Sequence, residues 1–228
     1  ASYMFFWCSN LTSVSFAGSD TSAVTNMSDM FSRCFKLKNI DFGQNFNTGN
    51  VTDMSSMFSE CEVLDDLNLS GWDTANVTDM ESMFRNCGFH RLTLGGSFTT
   101  RSVTDMGMMF ACNPKFGNQD RIGLKWLDLS WLDLSSVNSM YGMFANCDVK
   151  QLDFDRLNTD GVTSLPGLFI ACDVTGMDFS ELRTDTVTNM RMMFGCPRGE
   201  IDLHTLNTEH VTDMSAMFAD IMMVDQYF

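Results

Sequence analysis

The chain has 228 residues, with 14 basic and 29 acidic side chains and a formal net charge of −15. This balance argues against nucleic acid and anionic membrane as main partners, because both bind proteins through basic surfaces. No apolar run approaches the roughly 18 residues of a membrane-spanning helix, so we do not expect this chain to insert into a membrane.

One phrase recurs along the chain: Val-Thr-Asp-Met, followed shortly by Met-Phe. Exact copies begin at Val51, Val77, Val103 and Val211, and looser copies begin at Val24, Val137, Val162 and Val187. The Met-Phe pairs (Leu-Phe at 168) begin at 4, 30, 57, 83, 109, 143, 168, 193 and 217, so the step is 24 to 27 residues except for one step of 34. A fixed period of this length is typical of repeat proteins. We expect residues 1–228 to form a single repeat solenoid that starts and ends inside a repeat.

The first element of each repeat is a short Leu-x-Leu phrase, as in Leu67-Asn68-Leu69. Its alternation predicts a short strand with one buried face. Stacked repeats would join these strands into one parallel sheet. The eight predicted strands lie at 14–16, 40–42, 67–69, 92–94, 127–129, 152–154, 177–179 and 201–203.

The second element has a different period. Met54, Met57, Phe58 and Cys61 are spaced i, i+3, i+4 and i+7, which predicts one face of a short helix. Thr52, two residues before the first Met, could cap the helix N-terminus, and the aspartate that follows would suit the helix dipole.

In one copy, Thr78 and Glu81 would complete a capping box around the start of the predicted helix. The two elements together predict an α/β repeat solenoid. It would be a leucine-rich-repeat-like stack of about nine coils, each with a short parallel strand and a short helix.

The one long step contains an insertion at residues 113–123. Its proline, glycine and charged residues show no apolar period, so we expect a loop. Asp120 is the only candidate general base in it. The chain has no Gly-x-Ser-x-Gly, phosphate-binding glycine loop or His-Glu-x-x-His sequence, so we do not expect an enzyme.

The eight cysteines follow the repeat. Six lie three residues after the phenylalanine of Met-Phe, Cys112 and Cys196 lie two after it, and Ile221 fills this slot in the last repeat. A slot that accepts isoleucine is a core slot, so we expect buried thiols, and side chains stacked in parallel do not give a disulfide torsion. Without a Cys-x-x-Cys pair or clustered histidines, no metal ion or other cofactor is expected.

Aspartate is frequent at the outward position of the Leu-x-Leu phrase. These residues are Asp41, Asp128, Asp153, Asp178 and Asp202. They fit a solvated polar face, since exposed charges interact weakly. They also fit an acidic stripe that binds a basic partner surface or Ca²⁺, which favours carboxylate oxygens.

The first and last residues are apolar, where repeat arrays normally carry polar caps. Phe5, Phe6 and Trp7 lie near the start, and Tyr227 and Phe228 lie at the end. We interpret them as candidate end-to-end contacts between copies, unless the chain is a piece of a longer array.

A family resemblance is carried by residues 73–87, which read Asp-Thr-Ala-Asn-Val-Thr-Asp-Met-Glu-Ser-Met-Phe-Arg-Asn-Cys. This segment resembles the repeat of the BspA-like leucine-rich-repeat surface proteins, which is also found in many mycoplasma lipoproteins. The resemblance implies an extracellular or surface-displayed protein linked to adhesion. Residues 164–169 depart from the pattern, because Pro166 and Gly167 fall in the predicted helix.

We therefore expect a non-enzymatic surface protein that mediates protein–protein contact or adhesion. The alternative is a structural building block that assembles end to end into a filament, sheath or shell. The expected partner is a protein in the first case and a second copy of the chain in the other.

Overall fold

The regular secondary structure is sparse. The structure, a computed structural model, describes residues 1–89, 91–112, 129–147, 157, 159–180, 182–197 and 200–219. These residues contain four short strands and no helix.

The four strands form two parallel pairs. Strand β1 (Ser13–Ser15) pairs with β2 (Asn39–Asp41), and β3 (Asp66–Leu69) pairs with β4 (Arg91–Leu94). Leu67 lies opposite Leu92 in the second pair, so like positions of neighbouring repeats align. The alternation of buried and exposed residues in β3 is the one that the Leu-x-Leu phrase predicts.

The predicted α/β solenoid of helix-strand coils is wrong. No described Met-Phe phrase is helical, and the described slots at 177–179 and 201–203 are not strands. The strand slots at 127–128 and 152–154, and the predicted loop at 113–123, lie outside the described residues.

A series of tight turns replaces the helix. The N–H of Met57 donates to the Met54 carbonyl, three residues back, at 3.3 Å. The N–H groups of Met54 and Phe58 instead donate to the next repeat, to the carbonyls of Asp79 and Met83, each at 3.0 Å. Peptide groups therefore alternate between closing a turn and bonding the neighbouring repeat, whereas a helix would keep all of these bonds internal.

Backbone dihedral angles explain why the turns do not continue as a helix. Ser56 has φ of 54° and Glu60 has φ of 60°, in the left-handed region. Each residue occupies the third position of a four-residue turn, in which the N–H of the fourth residue donates to the carbonyl of the first. A positive φ at the third position is typical of type II turns. Met54, Met57, Phe58 and Cys61 are each 0% exposed, so the spacing did predict the core while the helix was wrong.

The predicted threonine caps are also wrong. Asp53, not Thr52, accepts the local bond, from the N–H of Ser55 to Oδ1 at 2.9 Å. The Thr52 hydroxyl donates to the carbonyl of Thr25 in the preceding repeat at 3.3 Å. In the expected capping box, the N–H of Glu81 likewise donates to the Asp79 carboxylate. The aspartate therefore closes an Asx turn, and the threonine joins two repeats.

A column of stacked phenylalanines runs through the core. Successive rings lie 5.5 to 6.2 Å apart between centroids, with interplanar angles of 4° to 18°. Its members are Phe5, Phe31, Phe58, Phe84, Phe110, Phe144, Phe169, Phe194 and Phe218. The column therefore connects all nine repeats.

A row of buried threonines forms a second link between repeats. The Thr74 hydroxyl donates to the carbonyl of Thr99 and accepts from its N–H, both at 2.7 Å. Equivalent hydroxyls donate to the next repeat from Thr21, Thr48, Thr100, Thr159 and Thr184. All six threonines are 7% exposed or less. Each lies three residues before the valine of the repeated phrase, a pattern that the sequence analysis missed.

Truncating a central member of the phenylalanine column should be far more damaging than truncating a terminal one. We expect Phe84→Ala to lower the free energy of unfolding by about 3–5 kcal/mol, because it leaves a cavity in a full core. Phe84 is 1% exposed, whereas Phe218 is 47% exposed, so Phe218→Ala should cost about 1–2 kcal/mol. Urea unfolding followed by tryptophan fluorescence measures both, and equal losses would contradict a continuous column.

The threonine row predicts a second difference in stability. Thr74→Val keeps the shape but leaves the Thr99 N–H and carbonyl unpaired, which should cost about 1–3 kcal/mol. Thr74→Ser keeps both bonds and loses one methyl group, so it should cost about 1 kcal/mol or less. Urea unfolding of the two variants compares them; a serine variant no better than valine would exclude the hydroxyl as the cause.

Candidate functional site

The acidic stripe predicted at the strand slots is exposed wherever it is described. Asp41, Asp178 and Asp202 all lie at the surface, while Asp128 and Asp153 lie outside the described residues. Oδ1 of Asp178 accepts a hydrogen bond from the N–H of Ser180 at 2.9 Å. In the same way, Oδ1 of Asp41 accepts from the N–H of Gly43, and Oδ1 of Asp202 accepts from the N–H of His204. Each aspartate therefore closes an Asx turn after the strand slot.

Local hydrogen bonds favour the charged form of two residues of the stripe, Asp178 and Asp202. The N–H of Ser180 lowers the pKa of Asp178 below its ordinary 3.8, with a further contribution from the Ser180 hydroxyl. The N–H of His204 does the same for Asp202, and His204 Nδ1 lies 2.7 Å from its Oδ1. Because a donor stabilises the ionised carboxylate, these groups carry their charge well into acid.

The second carboxylate oxygens differ along the stripe. Oδ2 of Asp41 accepts from the hydroxyl of Ser15 in the preceding repeat at 2.8 Å. This bond links the carboxylate to a neutral residue of the neighbouring repeat. This geometry is compatible with both sequence interpretations, the solvated face and the binding stripe.

A second acidic column was missed. Asp53, Asp79 and Asp105 form successive parallel bridges between repeats, and all three are partly buried. Burial raises the pKa of Asp79, and the charges of Asp53 and Asp105 raise it further. The aspartate of the repeated Val-Thr-Asp-Met phrase therefore faces the aspartates of neighbouring repeats and does not lie at the start of a helix.

Two of the three aromatic residues predicted as contacts near the start of the chain lie at the surface. Phe5 is half-buried and stacks on Phe31, so it belongs to the core column. Phe6 is 38% exposed and Trp7 is 54% exposed, with the guanidinium of Arg33 lying 4.6 Å from the Trp7 ring centroid. Tyr227 and Phe228 lie outside the described residues.

An open groove lies beside the second repeat. It has a volume of about 840 Å³ and is mostly polar. Its lining includes Asp20, Gln44, Asn45, Asn47, Asn50 and Asp73. Asn47 and Asp73 already accept turn hydrogen bonds, from Gly49 and Ala75, so this surface is built mainly from structural turns.

The cysteines follow the buried slot only in part. Cys34, Cys61, Cys87, Cys147 and Cys172 are buried, Cys112 and Cys196 are partly exposed, and Cys8 is exposed. All eight are free thiols in the structure. Among the described residues, no three histidine, cysteine or acidic side chains converge as metal ligands. No helix long and apolar enough to cross a membrane occurs in the described ranges.

Comparison with known proteins identifies a family for nearly the whole chain. Residues 1–126 and 122–227 each match the family described as "Mycoplasma protein of unknown function, DUF285". No curated protein and no solved structure matches the chain. The two adjoining matches agree with the internal repetition of the sequence.

Neutralising one residue of the partly buried acidic column should stabilise the protein in a pH-dependent way. Asp79→Asn keeps the Oδ1 acceptor for Glu81 and removes one of three neighbouring charges, so we expect a gain of about 0.2–1 kcal/mol near neutral pH. The folded-state pKa of Asp79 lies above its ordinary 3.8, so its charge opposes folding at neutral pH. The gain should therefore shrink as pH falls through that raised pKa.

Asp178→Asn is the matched control, since it also removes one charge from an Asx turn. Its lowered pKa means that the charge favours folding above 3.8, and this contribution is lost as pH falls through the folded pKa. Neutralising it should give no gain near neutral pH. Urea unfolding across the acid range compares the two variants, and a similar gain in both would contradict the assignment to Asp79.

Proposed function

We propose that this chain, which belongs to the DUF285 family of mycoplasma proteins, is a non-enzymatic, surface-displayed repeat protein that contacts a basic protein partner. The resemblance of its repeat to that of BspA-like surface proteins supports an extracellular, adhesive role. The acidic stripe of Asp41, Asp128, Asp153, Asp178 and Asp202 is the proposed contact surface.

The observation that carries this proposal is that Asp41, Asp178 and Asp202 are all exposed and that a turn hydrogen bond holds each carboxylate. Asp178 and Asp202 are exposed and their pKa values are lowered by turn hydrogen bonds, so both are fully charged at neutral pH. Their carboxylates are also fixed by these bonds, which reduces the side-chain entropy lost when a partner binds.

The charge of the whole chain favours a basic partner. A net charge of −15 attracts cationic surfaces and repels anionic ones. It therefore speeds association with a basic protein and disfavours binding to nucleic acid. A lysine-rich protein surface is the partner chemistry that fits best.

The stripe can be tested with a lysine-rich peptide as the probe. Asp178→Asn combined with Asp202→Asn removes two charges and keeps both turn acceptors. We expect affinity to fall about twofold to tenfold at low salt, as for two exposed charge pairs, and the difference to shrink at higher salt. Fluorescence anisotropy of the labelled peptide measures this affinity. Adding Asp128→Asn and Asp153→Asn to the double variant should lower the affinity further.

The matched control removes two charges elsewhere. Asp185→Asn with Glu209→Gln neutralises two exposed residues of the last repeats that lie outside the Leu-x-Leu slots. If this control weakens peptide binding as much as the stripe variant, net charge rather than the stripe governs binding, and the proposed contact surface is wrong.

The alternative function is end-to-end assembly into a filament, sheath or shell, with Phe5, Phe6, Trp7, Tyr227 and Phe228 as its contacts. The exposed apolar side chains near the start of the chain favour it: Tyr3, Met4 and Trp7 are 58%, 58% and 54% exposed. Side chains of this type dominate the energy of protein interfaces.

Assembly predicts that mass rises with concentration. Phe6→Asp should abolish this rise, whereas Tyr141→Asp, at a site with the same 38% exposure in the middle of the chain, should preserve it. Analytical ultracentrifugation over a wide concentration range measures both. A parent protein that stays monomeric throughout would overturn the alternative.

A further inference from the structure

Two cysteines of neighbouring repeats lie close together in space. These two repeats are the ones whose Met-Phe pairs, at 109 and 143, are separated by the long step of 34 residues. The Sγ atoms of Cys112 and Cys147 lie 2.7 Å apart, although the residues are 35 positions apart in sequence. Both thiols also point at one carbonyl, that of Phe110, at 3.5 Å from Cys112 and 2.9 Å from Cys147. The two sulfurs therefore converge on one point at the edge of the core.

The backbone at Cys112 departs from the repeat. In most other described copies, the residue two after the phenylalanine has positive φ, as Glu60 and Asn146 do at 60° and 59°. Cys112 does not have positive φ, and its side chain packs against the core. Cys196, in the same slot, keeps positive φ at 52°. The close pair of thiols is thus a local feature and not a general product of the stacked cysteine slot.

We infer that Cys112 and Cys147 form a peroxide-sensitive thiol pair that closes to a disulfide. Cys112 is partly exposed and its thiolate attacks one peroxide oxygen. The O–O bond breaks, Cys112 becomes a sulfenic acid, and the other oxygen leaves as water after taking up the thiol proton.

In the second step the Cys147 sulfur attacks the Cys112 sulfur. The S–O bond breaks, the Cys147 proton goes to the departing hydroxyl, and a second water is released. Two thiols are oxidised to one disulfide, and one peroxide is reduced to two waters. The product joins two repeats covalently across the long step.

The environments of the two thiols assign their roles. Cys147 is 3% exposed, and burial raises its pKa well above the ordinary 9.0, with further contributions from Cys112 and Cys172. A buried, protonated thiol reacts slowly with peroxide, so Cys112 is the attacking residue and Cys147 the resolving one.

The test is disulfide mapping of the full chain after treatment with hydrogen peroxide. Free thiols are alkylated and the protein is digested with trypsin without reduction. Cleavage after Arg101, Lys115, Lys125 and Lys150 places Cys112 and Cys147 on separate peptides with one cysteine each. We expect the two peptides to be linked, with a loss of about 2 Da for the two thiol hydrogens.

Variants test the roles. In Cys147→Ser, the Cys112 sulfenic acid has no resolving thiol and should proceed to the sulfinic acid, a gain of about 32 Da on Cys112 itself. Peptide fragmentation must locate this gain at Cys112, because Met106, Met108 and Met109 on the same peptide gain about 16 Da each as sulfoxides. Cys196→Ser, the control in the same repeat slot, should leave the linked peptide unchanged. The proposal is overturned if the parent protein shows no linked peptide, or if Cys147 links to Cys172 instead.

Discussion

The alternation of hydrogen bonds in the Met-Phe phrase is the constraint on which the other features depend. Met80 and Phe84 donate to the next repeat, to Asp105 and Met109, while Met83 closes a turn within its own repeat. The left-handed residues that this requires cost roughly 1–2 kcal/mol each for non-glycine side chains. That cost is offset only when a neighbour accepts the outward bonds and buries the phenylalanine, so the order of one repeat depends on the next.

This dependence explains which part of the fold could be predicted. The spacing of Met54, Met57, Phe58 and Cys61 identifies the buried positions, because a series of turns and a helix bury the same residues. It cannot distinguish the two backbones, since the partner of each N–H lies in another repeat. Ser56 and Glu60 have positive φ although serine and glutamate rarely adopt it, so their residue types did not predict the turns. Thr74 was missed because an apolar period contains no information on hydroxyl groups.

The candidate site was predicted in outline only. The alternation of the Leu-x-Leu phrase predicted that Asp178 and Asp202 are exposed, although their slots are not strands. Their turn bonds depend on the bend that follows each slot. Asp79 has the same side chain and closes a similar turn, yet burial beside Asp53 and Asp105 shifts its pKa in the opposite direction. The charge of Asp178 therefore favours folding and that of Asp79 opposes it, according to the burial and the neighbouring charges of each carboxylate.

The long step shows what this architecture permits over evolutionary time. The bonds from Met108 to Tyr141 and from Phe110 to Met143 are 2.9 and 3.0 Å long, and the Phe110 and Phe144 rings stack at 5.8 Å. The register therefore continues unchanged although 34 residues separate the two Met-Phe pairs. Selection can act on segments between the phrases without disturbing the core. Duplication of a single repeat would lengthen the array and reproduce the same hydrogen bonds and ring stacking at each new junction.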